Sequence, residues 1–158
     1  MLGSHNSFSY INPIELLQRF LIPWSKCQSL DIEEQYKCGV RYFDIRINYI
    51  KGSWFIVHNK NIYSSVLCLK DLAANFNSFK DNIFLRVIYD KRKLPKEANN
   101  MVQLFMAFLL DFTNILNSNI KIDSAITFWD WKEHLNPKIK VKEYHASVMF
   151  KWYRYILG

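Results

Sequence analysis

Four residues in the first 58 positions of the chain have side chains suited to acid–base and anion-binding chemistry. His5 lies in a Gly-Ser-His-Asn-Ser segment, and Asp44, Arg46 and His58 follow it. A histidine can accept or donate a proton near neutral pH. An arginine brings a permanent positive charge and a planar fork that matches phosphate oxygens. Together these residue types predict a pocket for an anionic, phosphate-like substrate.

Asp44 and Arg46 must be positioned by a strand, because residues 40–47 are mostly β-branched or aromatic and alternate with a period of two. Side chains two apart share one face of a strand, so Tyr42, Asp44 and Arg46 are expected on the same face. From spacing alone, a second interpretation stands beside the chemical one. In it, Asp44 and Arg46 form a buried ion pair that only holds the sheet together.

His58 is predicted at the end of a second strand, 54–58, which follows a Lys-Gly turn. Trp54, Ile56 and His58 share a face of this strand. We expect that face to look into the same cavity as the acid and the arginine of the first strand. The alternative is that His58 is a surface residue at a strand end.

The rest of the chain alternates apolar stripes of helical spacing with β-rich runs. Ser29 or Asp31 is the candidate N-cap of a short helix, and Glu34 would be the capping-box partner of Asp31. The predicted elements are helices over 12–23, 31–39, 66–79 and 97–117 and strands over 82–90 and 120–128. This alternation predicts an α/β fold with a mostly parallel sheet and functional residues at the carboxyl ends of the strands, where His58 and Asp90 fall.

Composition limits the partners. The chain has 158 residues, enough for one domain, and a formal charge of +7 that lies mainly in its second half. A basic surface suits nucleic acid, a phosphorylated substrate or an acidic membrane, although the exposed lysines of a soluble protein explain it equally well. Residues 129–158 mix basic and aromatic side chains that could dock on an anionic bilayer or on a partner protein. No nucleic-acid-binding module is recognisable, so no nucleic acid partner is expected.

The cysteines and the apolar runs bear on location. Cys27, Cys38 and Cys68 are too few for a disulfide framework and form no metal-binding pair, which indicates a reducing compartment. No leader pattern precedes Gly3, and no apolar run reaches the roughly 18 residues of a membrane-spanning helix. We therefore expect a protein of a reducing compartment or of the membrane periphery.

Four motifs in order carry a family resemblance. They occupy 3–7, 24–35, 39–46 and 57–58 and read GSHNS, WSKCQSLDIEEQ, GVRYFDIR and VH. This series resembles the X domain of phosphatidylinositol-specific phospholipases C, closely over residues 2–59 and loosely to about residue 95. The whole chain, 1–158, is interpreted as a single X-like domain.

By this resemblance, His5 would be the general base that takes the proton from the inositol 2-hydroxyl, which then attacks its own neighbouring phosphorus. His58 would be the general acid that protonates the leaving glycerol oxygen. Arg46 would hold the non-bridging phosphate oxygens, and Asp44 would orient the pocket. The implied substrate is an inositol phospholipid at a membrane surface.

Arg46 also implies that no metal takes part. The animal members of the family place a calcium-binding carboxylate at this position, whereas the bacterial branch has an arginine. Asn6 without matching acids makes a poor calcium site, so no metal or other cofactor is expected. Asn6, Asp90 and Lys91 are expected to contact the substrate, the last two through inositol hydroxyls. Otherwise Asp90 and Lys91 are loop charges.

The resemblance implies a TIM-type (β/α) barrel, which typically takes about 250 residues. The predicted strands make little more than half of one, so we expect an incomplete or reduced barrel, whose open edges a partner protein could complete. Two functions therefore stand side by side. One is a phosphodiesterase of the phospholipase C type. The other is a catalytically weak or inactive scaffold that binds lipid or protein within a larger assembly.

Overall fold

The computed structural model describes residues 1–11, 27–57, 63–89, 98–127 and 142–144. In chain order, the elements are β1 (Leu2–Ser4), α1 (Ile32–Lys37), β2 (Val40–Ile50), β3 (Ser53–Val57), β4 (Tyr63–Val66), α2 (Leu69–Asn77), β5 (Ile83–Tyr89), α3 (Ala98–Ile115), β6 (Ile120–Thr127) and β7 (Lys142–Tyr144). The helix predicted over 12–23 and most of the basic, aromatic segment 129–158 lie outside the described residues.

The sheet is built around β2. Five strands run parallel in the order β7-β1-β2-β5-β6. β3 and β4 extend the sheet as antiparallel strands from the second half of β2. Strand β2 therefore has β1 and β3 along one edge and β5 along the other. The predicted α/β fold with a mostly parallel sheet is confirmed.

Alternation along β2 creates one strongly apolar face. Phe43, Ile45 and Ile47 point to it and are completely buried. They belong to a core cluster that also includes residues of β5, α2 and α3, among them Ile83, Leu85, Val87, Leu72, Phe76, Phe108 and Phe112. Burial of this apolar surface is the main favourable contribution to folding. The helices therefore lie on this side of the sheet.

The opposite face of β2 is polar. It carries Tyr42, Asp44, Arg46 and Asn48, of which Asp44 is 3% exposed and Asn48 is 5% exposed. Burying polar groups on a strand face costs free energy unless those groups find partners. This face is therefore a candidate location for functional residues. The expectation that Tyr42, Asp44 and Arg46 share a face is met.

Short-range signals set the ends of several elements. Oδ1 of Asp31 accepts a hydrogen bond from the backbone N–H of Glu34 at 2.8 Å, and the Asp31 N–H donates to Oε2 of Glu34 at 2.9 Å. The predicted capping box at α1 is therefore present. Gly39 follows α1 with φ of +91°, a left-handed conformation that favours glycine. Lys51 and Gly52 have φ of +49° and +83° and make the tight turn between β2 and β3.

Pairing between consecutive antiparallel strands moves two predicted boundaries. Residues Tyr63–Val66 form β4, because Val66 pairs with Phe55 of β3. The helix expected from Val66 therefore begins at Leu69. Strand β2 likewise continues beyond Ile47 to Ile50, since that stretch pairs with β3.

Helix α3 is 18 residues long, and only part of its surface is buried. Its buried residues include Phe105, Phe108, Leu109 and Phe112, while Met106 and Leu110 are exposed. Neither α3 nor any other helix in the described ranges is long and apolar enough to cross a membrane.

Candidate active site

The site is centred on the carboxylate of Asp44. Strands β1 and β2 run parallel with Ser4 beside Phe43, so the next residue, His5, reaches Asp44. Nδ1 of His5 lies 3.4 Å from Oδ2 of Asp44. Nη2 of Arg46 lies 3.3 Å from the same oxygen and 3.4 Å from Nε2 of His5. The structure thus brings together three of the four residues predicted to be catalytic.

Asp44 is negatively charged in spite of its burial. Burial raises the pKa of this carboxyl, but the positive charges of Arg46, His5 and Arg86 lower it. The backbone N–H of Asn6, 3.2 Å from Oδ2, lowers it further. The net result is a pKa below the ordinary value of 3.8. An ionised Asp44 can therefore hold the Nδ1–H of His5 and the guanidinium of Arg46 at neutral pH.

The segment after β1 is fastened to β2 around Ser7. The Ser7 N–H donates to the Asp44 carbonyl oxygen at 2.9 Å, and the Asp44 N–H donates to Ser7 Oγ at 2.9 Å. Asn6 has φ of +51°, in the left-handed region that asparagine tolerates. Its side chain contacts Cys27, with Nδ2 3.9 Å from Sγ. These contacts of Asn6 lie within the protein, so its role in binding substrate stays a prediction.

Two fully buried glutamines hold the same segment from the other side. Gln28 donates from Nε2 to the carbonyl oxygen of His5 at 3.1 Å. Gln35 donates from Nε2 to the carbonyl oxygen of Ser7 at 2.8 Å, and its Oε1 accepts a hydrogen bond from Ser4 Oγ. Both glutamines belong to the sequence motif at 24–35, and their positions explain why the motif needs them. They hold the backbone at His5 and at Ser7.

The remaining predicted site residues cannot be placed. His58, Asp90 and Lys91 lie outside the described residues. The roles of His58 as general acid and of Asp90 and Lys91 as substrate contacts therefore remain predictions.

The face of β3 requires a correction. Ile56 pairs with Ile47, which lies on the apolar face of β2. Directly opposite residues of antiparallel strands point to the same side. Trp54 and Ile56 therefore lie on the core side, where Trp54 contacts Phe108, and not on the side of Asp44.

Sequence reasoning gave no role to Arg86, which belongs to the neighbourhood of Asp44. Its Cα pairs with that of Asp44 across the parallel strands β2 and β5. The same side of the sheet carries a hydrogen bond of 3.0 Å from the Tyr42 hydroxyl to Oδ2 of Asp123. The period of two within 82–90 could have indicated the face of Arg86, but its partner depends on strand register.

The arrangement suits proton transfer beside an anion. The His5 side chain is 28% exposed, and while Asp44 holds Nδ1, its Nε2 faces Nη2 of Arg46 at 3.4 Å. Arg46 stands next to that nitrogen and can hold an oxyanion there. In the described part of the chain, no group of three or more His, Cys, Asp or Glu side chains could hold a metal ion.

Two cavities in the described stretches lie away from this group of residues. One of about 500 Å³ is lined by Asp31, Glu33 and Asp71 together with Tyr10. A neighbouring one of about 260 Å³ shares Tyr10 and Asp71. Acidic walls disfavour an anion, so the chemistry at His5 and Asp44 indicates the site better than these cavities do.

Curated relatives share part of the sequence. No family model matches the chain. A PI-PLC X-box domain-containing protein of Dictyostelium discoideum is 36% identical over 81 residues, which cover 44% of this chain and 11% of that protein. PI-PLC X domain-containing protein 2 of Homo sapiens is 34% identical over 64 residues, covering 29% of this chain and 21% of that protein.

Solved structures share the fold. A phosphatidylinositol-specific phospholipase C of Staphylococcus aureus superposes with a TM-score of 0.56 and 19% identity, over 78% of this chain and 46% of that one. A pentafluoro-Phe-containing form of the same enzyme superposes with a TM-score of 0.50, over 78% of this chain and 46% of that one. The chain therefore spans about half of these structures and between 11% and 21% of the curated relatives. The likeness confirms a fold that covers part of a TIM-type barrel.

Proposed function

The chain is a PI-PLC X-domain-like protein, and from this premise we propose that it is a phosphodiesterase that cleaves the glycerol–phosphate bond of an inositol phospholipid without a metal. The observation that carries the proposal is the group of His5, Asp44 and Arg46, joined by contacts of 3.3–3.4 Å. A base beside a phosphate-binding arginine is what attack of a neighbouring hydroxyl on phosphorus requires.

His5 acts as the general base in this proposal. Because ionised Asp44 lies beside Nδ1, it favours a proton on that nitrogen and leaves the lone pair on Nε2. Nε2 then takes the proton of the inositol 2-hydroxyl as its oxygen bonds to phosphorus. The resulting imidazolium is stabilised by the same carboxylate.

Arg46 holds the phosphate in place. Its Nη2 lies 3.4 Å from Nε2 of His5, so an oxyanion bound by this guanidinium sits next to the base. The permanent positive charge offsets the negative charge that builds up on the non-bridging oxygens. The leaving glycerol oxygen takes a proton from His58, a role that rests on the sequence resemblance. The products are a cyclic inositol phosphate and diacylglycerol.

The second candidate is a non-catalytic protein of the same fold that binds lipid or protein within a larger assembly. One observation favours it. Both Nε and Nη2 of Arg46 donate to Asp44, which is the geometry expected of a part-buried structural ion pair.

The test is release of water-soluble inositol phosphate from phosphatidylinositol vesicles in the presence of a chelator. We expect activity in the native chain and a loss of roughly 10²- to 10⁴-fold in His5→Ala, the range for a general base. Lys70→Ala, at an exposed position on α2, is the control and should keep full activity. A folded chain without activity that still binds the vesicles would establish the second candidate instead.

A further inference from the structure

Arg86 presents a second guanidinium on the polar side of the sheet. It alternates along β5 with Leu85 and Val87, which are completely buried in the core on the other side. Its Cα pairs with that of Asp44, and its side chain is partly exposed. The charge of Arg86 also helps to lower the pKa of Asp44.

The two arginines differ in the hydrogen-bond partners of their guanidinium groups. Arg46 donates through Nε and Nη2 to Oδ2 of Asp44, each at 3.3 Å, so this pair is close to neutral. Arg86 makes no hydrogen bond or ion pair with any residue that the structure describes. A second carboxylate nearby, Asp123, accepts its hydrogen bond from the Tyr42 hydroxyl. Asp44 therefore lies beside two arginines, and Asp123 is a second carboxylate on this side of the sheet.

We propose that Arg86 is a second phosphate-binding residue, which supplies the positive charge that the Asp44–Arg46 pair lacks. The identity of the anion rests on the proposed function. A phosphodiester carries one negative charge, and the guanidinium of Arg86 carries one positive charge. The planar fork of Arg86 matches two phosphate oxygens, and its donors are not committed to another described residue.

The competing explanation is structural. Oδ1 of Asp44 is buried and accepts no hydrogen bond from a described residue. In this explanation Arg86 does nothing except stabilise the ionised carboxylate. Its removal would then lower the stability of the protein and leave the affinity for an anion unchanged. The two explanations are separated by measuring both quantities on the same variants.

The experiment is a titration with inorganic phosphate, followed by NMR on ¹⁵N-labelled full chain, together with thermal unfolding. The variants are Arg86→Gln, Arg86→Lys and Lys70→Gln. The last removes one exposed positive charge from α2 and so controls for net charge. Arg86→Lys keeps the charge but not the fork, and it guards against a loss caused by misfolding.

We expect Arg86→Gln to weaken phosphate binding roughly tenfold, as for the loss of a charge-assisted contact. Arg86→Lys should weaken it less, and Lys70→Gln should change it by less than about twofold because an exposed charge at a distance is screened. Equal affinity in Arg86→Gln and the native chain overturns the inference, whatever the melting temperature does. Absence of phosphate binding by the native chain overturns it as well.

The same measurements distinguish a failure of the proposed function from a failure of this inference. A chain that binds phosphate through Arg86 but releases no inositol phosphate from vesicles supports this inference and contradicts the enzyme. A chain that releases inositol phosphate equally well with Arg86→Gln and binds phosphate as before contradicts the inference alone.

Discussion

Nδ1 of His5 lies 3.4 Å from Oδ2 of Asp44, and this contact joins the first strand of the chain to the central strand of the sheet. The same oxygen accepts hydrogen bonds from Nε and Nη2 of Arg46 and from the backbone N–H of Asn6. One atom therefore orients the proposed base and the proposed phosphate-binding group together. A change at Asp44 should affect both catalysis and stability.

Asp44→Asn tests this double role. The amide keeps the shape but cannot stabilise an imidazolium, so activity should fall on the order of a hundredfold or more. It also leaves Arg46 without its charge partner, which should cost about 3 kcal/mol of stability. Phosphate affinity should not fall, because two uncompensated arginines remain. The measurements are initial rates on vesicles, urea unfolding and a phosphate titration.

Asp81→Asn is the matched control for Asp44→Asn. Asp81 also pairs with an arginine, Arg41 at 2.7 Å, but its side chain is 53% exposed. Exposed pairs contribute little to stability, because water and salt screen their charges. Asp81→Asn should therefore keep its activity and nearly all of its stability. Unchanged activity in Asp44→Asn would show that the contact with His5 has no catalytic role.

The ionisation of Asp44 predicts a stability loss in acid. Its pKa in the folded chain lies below the ordinary value of 3.8, so the unfolded chain binds the proton more tightly. The stabilisation from this group is fully present above pH 3.8 and is lost as the pH falls through the lower, folded-state pKa. The unfolding free energies of the native chain and Asp44→Asn should therefore converge below pH 3.8. A gap that stays constant down to pH 2 would contradict the lowered pKa.

Gln35→Leu should lower both stability and activity, although it changes none of the residues proposed to be catalytic. The side chain is completely buried and donates to the carbonyl oxygens of Ser7 and Leu30. Leucine leaves both oxygens without this donor, which should cost about 2 kcal/mol or more. Because Ser7 also bonds to Asp44, the segment that carries His5 should shift and activity should fall. Rates measured well below the melting temperature separate this effect from unfolding.

Gln103→Leu, at an exposed position of α3, is the control for Gln35→Leu. It should change neither stability nor rate appreciably. Full activity in Gln35→Leu would mean that the segment holds its position without the glutamine.

Local patterns in the sequence determined a large part of this protein. The period of two over 40–47 placed Tyr42, Asp44 and Arg46 on one face of a strand, as the structure shows. The capping box of Asp31 and Glu34 marked the start of a helix. These signals are short-range, since a strand face and a helix cap depend on residues within a few positions of each other. The ordered motifs also led to the X-like fold that the solved structures share.

The tertiary structure decided what depends on register and on contacts between distant segments. It placed Arg86 beside Asp44, turned Trp54 and Ile56 toward the core, and made Tyr63–Val66 a strand. It also showed that Gln28 and Gln35 hold the backbone around His5. A one-residue shift in pairing would move every side chain of a strand to the other face, and no local pattern fixes that choice. The physical reason is that register is set by the packing of both partners at once.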